Sequence, residues 1–265
     1  MAFVLPVADA LNRVAVLLLS KQLAGVLLLG AAVFLGARSA AGNTGAWQLE
    51  VNDLENDIQV YSRQLSDTRT EFRGVTRLKT SLSSLVALLK DVERLPQWAY
   101  RTVMAIRIET VSPREAIVYS VAELSWPFKD RDLVVRTRLT QDPVSLSINV
   151  SGEAVPDYLP VDPNYVRVPF LKSSWAFEPA GDGIVEIEFR GYGDGGGSLS
   201  NGFLSWVSQQ LVSQAPHESL IGLRRMVVQA RYQQAILPFI KEPVASATAS
   251  SSDNRVFRED QTGSE

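Results

Sequence analysis

From residue 58 onward, short runs of the chain alternate apolar and polar side chains. The clearest is residues 183–190, GIVEIEFR, where Val185, Ile187 and Phe189 share one face and Glu186, Glu188 and Arg190 the other. Alternation of period two predicts a strand with one face packed and one face wet, the signature of an antiparallel sheet. Residues 132–139 repeat the pattern, with Leu133, Val135, Thr137 and Leu139 on one side and Arg136 and Arg138 on the other, and residues 144–150 repeat it again. Further strands are expected at 106–109, 116–124 and 166–177.

Two stretches change period. Leu82, Leu85, Val86 and Leu89 fall at helical spacing within residues 80–92, and Pro96 closes that element. A longer helical stretch, residues 199–234, carries Phe203, Trp206, Val207 and Leu211 on one stripe and Leu220, Leu223, Val227 and Ala230 on another. Pro216 lies between the stripes and predicts a kink or a break. Strands, a helix, many strands and a long final helix make an α+β chain, a curved antiparallel sheet wrapped around a long C-terminal helix. Such a sheet either closes on the helix or leaves an apolar hollow. Trp175, Phe203 and Trp206 supply rings to that boundary, and a ring stripe serves equally as filled core or as ligand wall. The candidate wall is Leu133, Val135, Thr137, Leu139, Trp175, Val185 and Ile187 from the strands, with Phe203, Trp206, Val207 and Leu211 from the helix.

The ends differ from the middle. Residues 23–37, LAGVLLLGAAVFLGA, are uncharged and apolar, with Lys21 before them and small residues after. Three readings fit: a signal peptide cleaved near Ala41, a retained anchor over residues 14–37, or a core helix. The first two place the domain outside the cytoplasm, periplasmic or tethered to the inner membrane of a bacterium, by the excess of positive charge on the cytoplasmic side. Residues 241–265 are rich in Ser, Ala and acidic side chains and are expected to be a disordered tail. The division is therefore residues 1–41, a domain over 42–240, and the tail.

Composition narrows the chemistry. Cysteine is absent and His217 is the only histidine among 265 residues, which removes thiolate sites and two-histidine metal sites. No cofactor and no catalytic residue is expected. The net charge is −3, and residues 1–41 hold three basic side chains to one acidic, so the remainder is more acidic still and carries no nucleic-acid footprint. Gly193 to Gly197 lacks the Lys-Ser/Thr of a phosphate loop and reads as a turn. His217, beside Pro216, reads as a helix-start residue, and Asp130 to Asp132 as a turn with an ion pair.

A resemblance adds to this reading. WQLE at 47–50, IQVYSR at 58–63 and FRGVT at 72–76 resemble the opening of START domains, the steroidogenic-acute-regulatory-related lipid-transfer family. LLKD at 88–91, PQW at 96–98, WPFKDRD at 126–132, WAFEP at 175–179, the glycines at 195–197, Asn201 and residues 220–224 continue it in order, over about 47–232. The resemblance implies a helix-grip fold that encloses one lipid or other apolar molecule, covered by the final helix and a neighbouring loop. The lid is expected at residues 199–211 and at the loop 157–165, and exchange at a membrane surface. Many START relatives carry an arginine six positions after that of Asp-Arg-Asp; here the position is Thr137, which points to a less polar ligand. A carrier or sensor of an apolar molecule is thus the leading expectation. A cyclase-type or hydratase-type enzyme using the cavity as a reaction chamber is the alternative, and an interaction module with a filled core is a third. Oligomeric state is left open.

Overall fold

The computed structural model describes residues 45–66, 69–126, 128–194 and 201–244, with the backbone alone described over 201–211. In chain order the elements are β1 (Gln48–Asp53), β2 (Ile58–Ser66), β3 (Arg69–Lys79), α1 (Leu82–Lys90), a 3-10 segment (Val92–Gln97), β4 (Thr102–Ser112), β5 (Glu115–Ala122), β6 (Arg131–Gln141), β7 (Ile148–Ala154), β8 (Val166–Arg167), β9 (Phe170–Pro179), β10 (Ile184–Asp194), α2 (Asn201–Val227) and α3 (Ala230–Gln233). The ten described strands form one sheet in the order β1-β2-β3-β10-β9-β7-β6-β5-β4, antiparallel at every step, and β8 pairs with β6 in parallel. The expected α+β helix-grip architecture is what forms.

The strand alternation of β10 does what its pattern requires. Val185 and Ile187 are buried, while Glu186 pairs with Arg77 and Glu188 with Arg73 across β3. Two strand expectations shift. Residues 143–145 form a turn, because the Asp142 carboxylate accepts the backbone N–H of Val144 (2.9 Å) and Ser145 (2.7 Å), and β7 begins only at Ile148. The stretch 166–177 is two strands; Pro169, which has no N–H to donate, separates β8 from β9.

Helix α1 starts at Ser81, whose hydroxyl accepts the N–H of Ser84 at 3.0 Å. Leu82, Leu85, Val86 and Leu88 are fully buried. Helix α2 runs through Pro216 as one element, so the expected break is absent. The ring instead packs on β3, where Gly74 leaves room for it: a Cβ on Gly74 would lie 2.8 Å from Leu220 and 3.1 Å from Pro216. Leu220, Leu223, Met226 and Val227 join Ile58, Val60, Ile187 and Phe177 in the main core, each large apolar side chain stabilising the fold by roughly 1.5–3 kcal/mol.

The chain then doubles back over α1. The Tyr232 hydroxyl donates to Asp91 at 2.8 Å, Lys241 and Gln141 exchange two hydrogen bonds, and the Glu242 carboxylate accepts the N–H of Leu82 (3.0 Å) and Ser83 (2.6 Å). The segment expected to be tail from residue 241 therefore begins with two residues bonded to the domain.

Candidate functional site

The sheet divides its inner face between two tasks. At one end, β2 and β3 carry α2, whose Leu220 and Leu223 are fully buried. At the other end, α1 and the 3-10 segment roof β4 to β7 and β9, and between them lies a hollow of about 200 Å³. Val86 and Leu89 reach it from α1, Val92 and Leu95 from the 3-10 segment, and Trp98 from the residue just after it.

The floor follows from strand register. Ala116 lies opposite Thr137, Val118 opposite Val135, Leu139 opposite Val150, and Val150 opposite Trp175; side chains directly opposite in a sheet share a face. Gly152 lies opposite both Thr137 and Ser173, and its missing side chain keeps the floor low, since a Cβ would stand 2.7 Å from the Ser173 hydroxyl. On β4 the facing parity changes: Ala105 and Arg107 point inward, and after an irregularity between Arg107 and Glu109 it is Thr110 that lines the hollow.

Polar residues interrupt the apolar lining. Thr137 donates its hydroxyl to Ala116 O at 3.2 Å, which leaves it able to accept from a guest. Trp98 is 5% exposed, and its indole N–H has no acceptor among the described residues. Its ring meets Trp175 edge-on at 5.8 Å, and Trp175 stacks on Phe189 at 4.0 Å, an aromatic column running from the hollow into the core. Lys90, Arg107 and Arg114 also border the hollow. Burial and the nearby Arg107 charge both push the Lys90 ammonium below its ordinary pKa.

A family model described as START domain matches residues 33–212, more than half of the chain. The chain belongs to the START domain family. An uncharacterised protein of Pseudomonas aeruginosa is 28% identical over 198 residues, covering 74% of this chain and 93% of that one. A STAR-related lipid transfer protein of Xanthomonas axonopodis superimposes with a TM-score of 0.62 at 29% identity, over 69% of this chain and 99% of that structure. Human StAR-related lipid transfer protein 5 shares its fold, with a TM-score of 0.56 at 16% identity over 83% and 95% of the two chains.

In this START domain the predicted wall divides. Val135, Thr137, Leu139 and Trp175 line the hollow. Leu133 shares their face through its pairing with Ser120 but does not border the hollow. Val185 and Ile187 do not line it either: they are buried in the main core, because β10 is next to β3, the strand that carries α2. The side chains of Phe203, Trp206, Val207 and Leu211, and the lid placed at 199–211, lie outside the described residues.

The other half of the expected lid is corrected. None of residues 155–168 lines the hollow; they pack on the reverse face of β5 and β6. There Arg167 pairs with Asp132 at 2.8 Å, with side chains 7% and 0% exposed, and Tyr158 bonds Glu109. Hence the ion pair at the start of β6 uses Arg167, while Asp130 holds the N–H of Leu124 at 3.0 Å. Tyr119 contacts the same carboxylate, and burial together with the Asp132 charge pushes its hydroxyl up to about 12. Arg136 and Arg138 do lie on the outer side, both bonded to Glu115. His217, expected at a helix start, is inside α2 and bonded to Asp53 of β1 at 2.9 Å, outside the hollow.

Pattern reading missed Ala116 and Val118, which sit in a strand it had placed, because nothing in the alternation says which strands a roof covers. It also missed Lys90, Arg107 and Arg114, which are far apart in sequence and meet only when β4 folds under α1.

Proposed function

We propose that this START domain binds one lipid or other slender apolar molecule in the hollow under α1 and acts as a carrier of it. The observation that carries the reading is the apolar floor and roof meeting around a space of about 200 Å³. That volume is below the roughly 300–1,000 Å³ of typical drug-sized sites, which favours a single chain or a small ring system over a two-tailed lipid. Each methylene leaving water contributes roughly 0.8 kcal/mol, so such a guest is held without any reacting group.

The arrangement favours binding over a reaction chamber. His217 is engaged with Asp53 elsewhere, and Glu115, at the border of the hollow, turns its carboxylate to Arg136 and Arg138 on the outer face. The hydroxyls there belong to Ser and Thr, including Thr110, Ser120 and Thr137.

Ligand exchange takes place at a membrane surface in this proposal. Trp126, on the β5–β6 connection, is 91% exposed, and an indole ring is suited to the boundary between headgroups and acyl chains. The apolar run at residues 23–37 supports an exported or membrane-anchored domain. Native mass spectrometry of the full chain, with and without added fatty acids and small sterols, tests the reading. One retained apolar molecule per chain, lost in Ala116→Phe, is expected. Failure to retain or take up any such molecule overturns it.

A further inference from the structure

Lys90 is the last residue of α1, Arg107 lies on β4 and Arg114 on the β4–β5 turn, and all three border the same hollow. The Lys90 ammonium stands 5.4 Å from the centre of the Phe239 ring and the Arg114 guanidinium 5.7 Å from it, so the two converge on one ring. None of the three has a carboxylate partner among the described residues, whereas Arg73, Arg77, Arg136, Arg138 and Arg167 each do. Their observed bonds go to neutral carbonyls. Lys90 donates to Pro113 O at 2.8 Å, Arg107 to Lys90 O and Arg114 to Phe239 O.

A lysine offers three donors and an arginine five, so each cation keeps donors beyond the one it uses. Like charges held together at the edge of an apolar space are electrostatically unfavourable, and an anion between them reverses the sign of that interaction. Behind them the wall is apolar through Leu89, Val118, Val135 and Leu139. One charged end and one greasy interior define an amphiphile, and the limited volume defines a single tail.

Resting on the proposal that the hollow is the ligand site, we infer that its ligand is a single-chain carboxylate, a fatty acid, seated with its head among Lys90, Arg107 and Arg114 and its chain running inward beside Val135 toward Trp175. This differs from the less polar guest that Thr137 alone implied, because these cations come from elements other than β6.

Dodecanoate and dodecanol have the same tail and differ in head charge, so the full chain titrated with each by calorimetry separates the two claims. Dodecanoate is expected to bind at least roughly ten-fold tighter, the weight of one or two charge-assisted hydrogen bonds. The double variant Lys90→Gln, Arg114→Gln should erase that advantage while holding dodecanol within about two-fold, and Arg138→Gln, a cation of the outer face, should preserve it. Equal binding of the two probes to the unmutated chain overturns the headgroup assignment and leaves the hollow as a ligand site. Binding of neither overturns both.

Discussion

The backbone of Trp98 and the α-carbon of Gly222 touch: a Cβ on Gly222 would lie 2.3 Å from Trp98 O and 2.8 Å from its Cα. Helix α2 therefore sets the position of the residue whose ring closes one side of the hollow. Backbone cannot swing aside as a side-chain tip can, so Gly222→Ala should cost roughly 1–3 kcal/mol by overpacking. A lower denaturant midpoint, with a change in tryptophan fluorescence from Trp98, is expected; an unshifted midpoint would show that the helix lifts freely.

Asp132 and Arg167 form a buried pair at the start of β6, with two guanidinium N–H groups donating to one carboxylate oxygen at 3.1 and 2.8 Å. Removing one partner strands the other charge without solvent. Arg167→Met should destabilise by roughly 3–5 kcal/mol, and adding Asp132→Leu should restore much of the loss. Thermal melts of the single and double variants measure both.

The Glu242 carboxylate caps the N-terminus of α1 from 160 residues away. It satisfies two N–H groups that a helix start leaves unpaired, and its negative charge suits that end of the helix dipole. Glu242→Ala should cost about 1 kcal/mol, read from the urea midpoint, and should speed amide exchange at Leu82 and Ser83.

Asp53 accepts hydrogen bonds from the Asn56 side chain and backbone and from His217, and these hold its carboxyl down to about 2, below the ordinary 3.8. The unfolded chain thus takes up a proton at a higher pH than the folded one. Its stabilising contribution is complete above about pH 4 and is lost as pH falls toward 2. Asp53→Asn should flatten the stability curve in that window, and a curve of unchanged slope would assign the acid sensitivity to other carboxylates.

Period and residue type determined much of this protein directly. Val185 and Ile187 alternate because one face of β10 is packed, and Leu82, Leu85 and Val86 recur at helical spacing because one face of α1 is buried; both signals are local, and both elements formed where expected. The collinear START-like motifs carried the fold. The strand expected at 144–150 lost its first residues to the Asp142 side chain, which offers nearby backbone N–H groups an alternative to a ladder.

What only the tertiary structure decided is which buried face is core and which is wall. Val185 and Val135 have the same chemistry and the same alternation; one faces the packed interior beside α2 and the other faces a hollow under α1, because the long helix covers one end of the sheet and the short helix bridges the other. The meeting of Lys90, Arg107 and Arg114 is likewise a consequence of strand order. Burial is written residue by residue along a chain, whereas a cavity is a property of the spacing between layers, and that spacing is set by contacts such as Trp98 with Gly222 that no local pattern contains.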